Sequence, residues 1–216
     1  MSNTLALDVY GTLINPLGVG EALRAHIGDA ASDFARRWRD KQIEYLYRRA
    51  LMRQYVDFRT CTREALEFTN AELDARLSPA ARRALLESYR ELPAYAEVPA
   101  ALAALAAAGH RLYAFSNGHP DDLDHLLDQA GLAGSLDGIV SVHTVESFKP
   151  DPAVYAHFLA QTGATAETTW LVSGNPFDVI GARATGWKAA WVRRDPGAVF
   201  DPWGIEPSTT IPGLAE

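Results

Sequence analysis

The chain has 216 residues, 48% hydrophobic and 22% charged, with a formal net charge of −7 and one cysteine, Cys61. That is enough for one medium domain or a core with an insertion, and its acidity argues against a nucleic-acid or anionic-membrane binder. No apolar run reaches the roughly 20 residues of a membrane span, no leader precedes the first apolar run, and one cysteine allows no internal disulfide, so a cytoplasmic protein is expected.

Residues 5–9 form the first apolar run of strand length and deliver Asp8 into a glycine-containing turn that also carries Tyr10 and Thr12. Residues 17–93 then read as helical almost throughout, rich in Arg, Leu, Ala and aromatics, with no strand run. Within them residues 32–53 read as one helix, on which Ala35, Arg39, Ile43, Leu46 and Ala50 share a stripe. A charge on an apolar stripe must find a partner or stay wet, which singles out Arg39. From residue 94 strands and helices alternate. An alanine-rich helix stops at Gly109, a strand runs over Arg111–Ser116, and the helix "DDLDHLLDQAGL" stops at Gly131. A strand over 138–142 precedes a helix that opens with Asp151-Pro152 and stops at Gly163. Thr169–Ser173, a helix ending at Gly186, and Lys188–Val192 complete the alternation, and a Pro/Gly-rich tail from Asp195 holds one short strand. This rhythm implies crossover units and a parallel sheet. The expected fold is an α/β core of residues 1–16 and 94–216, with a helical cap, residues 17–93, inserted after the first strand.

In an open parallel sheet, ligands sit beyond the carboxyl ends of the strands. The first strand brings Asp8 there, and the second brings Ser116, Asn117 and Gly118. The third leads into "ESFKPD" with Lys149, and the fourth into "SGNPFD" with Ser173, Asn175 and Asp178. Two carboxylates, a lysine, hydroxyls and amides thus converge on one rim. A carboxylate is ionised at neutral pH and can act as a nucleophile without a base to activate it.

Taken in order, "DVYGTL", "FSNG", "SFKPD" and "VSGNPFDVIGARATGW" resemble the four motifs of the haloacid dehalogenase superfamily. With "RWRDKQIEYLYRRALM" the likeness extends to its L-2-haloacid dehalogenase branch. The resemblance implies a Rossmann-like parallel-sheet core with an inserted helical cap. It also implies hydrolysis of L-2-haloacids to D-2-hydroxy acids, with inversion at C2, through an ester on Asp8. Thr12, Ser173 and Asn175 would support the nucleophile and the water, which Asp178 would orient or activate with Lys149 tuning it. Ser116 and Lys149 would meet the substrate carboxylate, and Tyr155 would contact the lysine region. Arg39, Asn117 and Phe177 would cradle the halide, while Tyr10, Ile43 and Phe58 wall the alkyl pocket. The same resemblance implies no cofactor, no metal, and no partner beyond the haloacid, the halide and a second copy in a homodimer. The cap aromatics Trp38, Tyr45, Tyr47 and Tyr55 are the candidate interface.

Most of the superfamily are magnesium-dependent phosphatases, with Asp-x-Asp in the first motif and Gly-Asp-x-x-x-Asp in the fourth. Here Tyr10 replaces the second acid of the first motif, and aligning the last acid on Asp178 puts Gly174 at the other. An alkoxide needs a proton to leave, and losing the general acid costs roughly 10²–10⁴ in rate. A doubly charged phosphate also needs a cation before a carboxylate can approach it. A halide leaves unprotonated, and a haloacid carries one charge that Lys149 and Arg39 can neutralise. Dehalogenation is the expected reaction; a phosphatase with a degenerate metal motif, or a silent carboxylate-binding protein, are the alternatives. Two departures bear on rate: Gly174 is expected to loosen its loop, and Asp40 to weaken the positive field beside Arg39. His119 has no assigned role, and Cys61 and the other histidines read as structural or surface residues.

Overall fold

In the computed structural model, which describes residues 2–215, the strands are Thr4–Asp8 (β1), Arg111–Ser116 (β2), Gly138–Ser141 (β3), Thr169–Ser173 (β4), Lys188–Val192 (β5) and Thr209–Ile211 (β6). They form one sheet in the order β3-β2-β1-β4-β5-β6, and every pairing is parallel. β1 is buried along its whole length, the condition under which a strand reads as a continuous apolar run. β2 and β4 flank it, and from there the chain winds outward in opposite directions. That is the switch point at which a crevice opens beyond the carboxyl ends of the strands. Asp8 is the last residue of β1 and stands beside Phe115 of β2.

Between β1 and β2 lie four helices, Val19–Ile27 (α1), Ala31–Met52 (α2), Phe58–Glu72 (α3) and Pro79–Ser88 (α4), followed by Val98–Ala107 (α5), which packs on β2. The remaining helices are Pro120–Gln129 (α6), Pro152–Thr162 (α7) and Pro176–Ala184 (α8). Their ends follow local chemistry. Asp57, Ser78 and Asp151 each accept an early helical N–H, and α7 stops at Gly163 with φ +66°. His119 has a place here: its Nδ1 accepts the Asp121 N–H and so caps α6.

The stripe on α2 faces inward, with Ala35 and Leu46 buried and Arg39 half-buried. Asp40, one residue on, is exposed, so it points away from Arg39's surroundings and solvent screens its charge. Trp38 does not lie on a free face. It is 1% exposed, donates its indole N–H to Thr62 O at 2.8 Å, and packs on Phe34 and Tyr89. It is therefore withdrawn from the candidate interface, because α2 is packed against α3 on that side. Tyr47 and Tyr55 are half-buried, edge-on to Phe177 and against Phe148 respectively.

Helices α3 and α4 reach the sheet half of the molecule through α6. Asp122, 5% exposed, accepts from Arg90 Nε at 2.8 Å and from Arg59 Nε. Arg59 lies in α3 and Arg90 just beyond α4.

Candidate active site

The nucleophile's turn is built on one backbone carbonyl. The N–H groups of Thr12, Leu13 and Ile14 all converge on Val9 O, at 3.2, 3.0 and 2.9 Å. Gly11 makes this possible with φ +96°, a conformation that a side chain disfavours. The turn swings Thr12 back under Asp8, so that its hydroxyl donates to Asp8 Oδ2 at 2.7 Å. Asn175, at the start of α8, donates from Nδ2 to the same oxygen at 2.7 Å and to Tyr10 O at 3.0 Å. Among the described residues Oδ1 receives only Lys149 Nζ, at 3.1 Å. A carboxylate oxygen offers about two lone pairs, so Oδ2 is saturated and Oδ1 keeps one free.

Lys149 is 1% exposed and has spent all three of its N–H groups, on Asp8, on Asp178 Oδ2 at 2.8 Å, and on Phe115 O at 2.8 Å. All three donors are therefore engaged within the protein in this arrangement. Burial alone would discharge this ammonium, but the two carboxylates outweigh it and hold Lys149 above the ordinary lysine range. Asp178 is fully buried, with Oδ1 taken by the Tyr155 hydroxyl at 2.8 Å and Oδ2 by Lys149. Burial, aided by the charge on Asp8, raises it above the ordinary carboxylate range against the pull of Lys149. Asp178 is not among the residues that line the cavity over Asp8; it stands directly behind Lys149. Tyr155 is likewise placed behind Asp178 and away from that cavity. Among the described residues Ser173 makes no hydrogen bond to Asp8; its Oγ accepts the Asn175 N–H at 3.1 Å and sets the start of the Asn175 loop.

The cavity itself is lined by Asp8, Tyr10, Arg39, Ile43, Leu46, Phe58, Ser116, Asn117, Lys149, Asn175 and Phe177. Expected residues from both halves of the chain thus meet there, and its volume is only about 10 Å³, barely room for one water. Arg39 spends Nη1 on Gln42 Oε1 at 2.6 Å and Nη2 on Tyr10 O at 3.2 Å. Its guanidinium also lies beside the Tyr89 hydroxyl. Asn117 Oδ1 accepts the Lys149 backbone N–H at 2.9 Å, leaving its NH₂ for the cavity. The Tyr10 ring stacks on Phe58 at 4.9 Å. Burial above all, with Tyr89 and Asp122 adding, holds its hydroxyl far above the ordinary range, which makes it a poor general acid.

Gly174 does not loosen its loop. A Cβ there would stand 2.3 Å from Gly11 O, and its N–H donates to Thr12 Oγ1 at 2.9 Å. The two loops are in backbone contact, and glycine is what lets them meet.

Residues 3–186 match the model of the haloacid dehalogenase-like hydrolases. The chain belongs to that family. It is 34% identical over 208 residues to the haloacetate dehalogenase H-2 of Moraxella sp. (strain B), spanning 96% of this chain and 92% of the relative. It is also 34% identical over 210 residues to the (S)-2-haloacid dehalogenase of Pseudomonas sp. (strain YL), spanning 97% and 90%. Among solved structures it superposes on the L-2-haloacid dehalogenase of Xanthobacter autotrophicus with chloropropionic acid covalently bound. The TM-score is 0.93 at 30% identity, over 100% of this chain and 96% of that one.

The magnesium ion of the superfamily's phosphatases does not fit the donor set of this haloacid dehalogenase-like hydrolase. The place of one ligating acid is Gly174, where not even a Cβ has room, and Lys149 already bridges Asp8 and Asp178. Three further residues shape the site of the hydrolase without a role assigned from the sequence. Gln42 and Tyr89 brace Arg39, with the Tyr89 hydroxyl donating to Gln42 Oε1 at 3.1 Å. Gly181 admits Tyr155: a Cβ there would lie 2.3 Å from its hydroxyl oxygen. A glycine in the middle of a helix was the one available clue to it.

Proposed function

We propose that this hydrolase removes halide from L-2-haloacids and releases D-2-hydroxy acids through an ester on Asp8. The observation that carries the reading is the asymmetry of Asp8, whose Oδ2 is saturated while Oδ1 keeps a free lone pair beside the cavity. Oδ1 attacks C2 from the side opposite the halogen, forming the C–O bond as the C–X bond breaks and inverting the carbon. Arg39 and the Asn117 NH₂ donate to the departing halide, and the edge of Phe177 completes the cradle. The Ser116 hydroxyl holds the substrate carboxylate; Ile43, Phe58 and the Tyr10 ring bound its alkyl group.

Esterified at Oδ1, Asp8 presents Oδ2 as the carbonyl oxygen. The Thr12 hydroxyl and Asn175 NH₂ are already in place on that oxygen, a preformed hole for the charge that develops when water attacks the ester carbon. Removing one such donor costs roughly 10²–10³ in kcat. Asp178 and Tyr155 keep Lys149 charged and aimed throughout. The first step needs no divalent ion, because Lys149 supplies the cation and the halide departs without a proton. In the second, the bond between the Asp8 carboxyl carbon and the substrate oxygen breaks, and the attacking water's proton passes to the departing alkoxide, which leaves as the hydroxy acid.

We read residues 17–93 as a cap over a core of residues 1–16 and 94–216. We further propose a cytoplasmic homodimer, a reading supported by the exposed Leu51 and Met52 at the end of α2 and by the buried, reduced Cys61. Among the described residues no helix is long and apolar enough to cross a membrane. The experiment is incubation with L- and D-2-chloropropionate in excess chelator. Chloride and D-2-hydroxypropionate from the L enantiomer alone are expected; no chloride, or chloride only after Mg²⁺ is added, rejects the reading.

A further inference from the structure

Arg194 stands two residues past β5 and outside every motif quoted above, yet its guanidinium reaches the nucleophile's turn. Nη2 donates to Thr12 O at 2.8 Å and Nη1 to Gly11 O at 3.3 Å. On its other side Nε and Nη2 donate to Glu97 Oε1, at 2.9 and 2.7 Å. The fork lies over the Tyr95 ring, with Cζ 3.7 Å from its centroid. Gly11 and Thr12 belong to the segment leaving for the helical insert, and Tyr95 and Glu97 to the segment returning from it. Those segments are also joined directly, Tyr95 N–H to Leu13 O at 3.0 Å and Asn15 N–H to Pro93 O at 2.9 Å.

A half-exposed Arg–Glu pair is by itself worth little. Here the pair is only the back of a fork whose front holds two consecutive carbonyls and whose face is stacked on an aromatic ring. A planar guanidinium makes that set of contacts and an ammonium does not. The carbonyls it holds are those of the turn that aims the Thr12 hydroxyl at Asp8 Oδ2 and receives Gly174 against Gly11 O.

We infer that Arg194 is a positioning residue for the reaction: by fixing the Gly11 and Thr12 carbonyls from the core–insert junction, it sets the Thr12 hydroxyl and so which lone pair of Asp8 stays free. The inference rests on Asp8 being the nucleophile. The test is Arg194→Ala in the full-length protein, measuring kcat and KM for L-2-chloropropionate and the melting midpoint. Each is measured with and without guanidinium ion well below denaturing concentration. We expect kcat to fall about 100-fold, the scale of a misplacement of about 1 Å. KM should change less than about threefold, and guanidinium should restore about tenfold of the lost rate. A folded variant with kcat near wild type, a loss confined to KM, or a loss that guanidinium does not relieve overturns the inference. If Arg194→Ala does not fold, Glu97→Gln takes its place: it keeps the fork but removes the charge that orients it. It should lower kcat about tenfold at constant KM, and an unchanged kcat overturns the inference. A wild-type protein that releases no chloride overturns the proposed function and this inference together; an active wild type with an indifferent variant overturns only this one.

Discussion

Gly174 lies so close to Gly11 that a Cβ on the first would stand 2.3 Å from the carbonyl oxygen of the second. The contact joins the loop that supplies Asn175 to the turn that supplies Thr12, and both deliver their donors to one oxygen of Asp8. Gly174→Ala should therefore push the turn away from the loop. Overpacking of this kind costs about 1–3 kcal/mol, and the displaced donors should lower kcat about 100-fold. Chloride release and a thermal melt on the variant check this; full activity would show that the two loops move apart without consequence.

Among the described residues Lys149 is the one cation paired with both buried carboxylates, Asp8 and Asp178. Lys149→Met leaves Asp8 and Asp178 facing each other without it, and removing one partner of a buried pair costs about 3–5 kcal/mol. Adding Asp178→Asn should return part of that loss, because it removes one of the stranded charges. Urea unfolding of the single and double variants measures both; a single variant as stable as wild type contradicts the pairing.

The pH profile follows from the same group of three. Asp178 is raised, chiefly by burial, so on acidification it takes up a proton earlier than an ordinary aspartate and releases Lys149. Burial pulls Lys149 down, but its two carboxylates prevail and raise it, so it stays charged further into the alkaline range. The acid limb of kcat should lie above the usual aspartate value of about 3.9, and the alkaline limb above the usual lysine value of about 10.4. In a profile of kcat against pH, an acid midpoint at or below about 3.9, or an alkaline midpoint at or below about 10.4, contradicts the coupling.

The cavity over Asp8, about 10 Å³, holds little more than one water, so the residues around it must shift to admit a haloacid. Asp122, held by Arg59 and Arg90, fastens α3 and the end of α4 to α6. Asp122→Ala should shift the balance toward the open form by about 1–2 kcal/mol, a factor of about 5–30. The expected outcome is a higher KM with kcat little changed, together with a larger radius of gyration by small-angle scattering. A variant with unchanged KM and radius means the closure is held elsewhere.

Strand ends were legible because buried runs in a parallel sheet are continuous and apolar, and the polar residues that end them stand out. Asp8, Ser116, Ser173 and Asn175 were all found that way. Which direction each side chain faces was not legible. Asp178 turns one oxygen to Lys149 and the other to Tyr155, which reaches it through the space that Gly181 opens. Trp38 read as part of an aromatic-rich face, but composition does not say which side of α2 meets α3. Gly174 read as slack because a glycine's freedom shows in a sequence and a close backbone approach does not. Arg194 gave no signal, since its contacts arise only where three distant segments meet.

The account stands on Asp8 Oδ1 as the attacking atom and on water attacking the ester carbon of Asp8. A single turnover with enzyme in excess, in chelator and ¹⁸O water, tests this most directly by mass spectrometry of the Asp8 peptide and of the hydroxy acid. The account predicts the heavy oxygen in Asp8 and an unlabelled product; label in the product with none in Asp8 would contradict it.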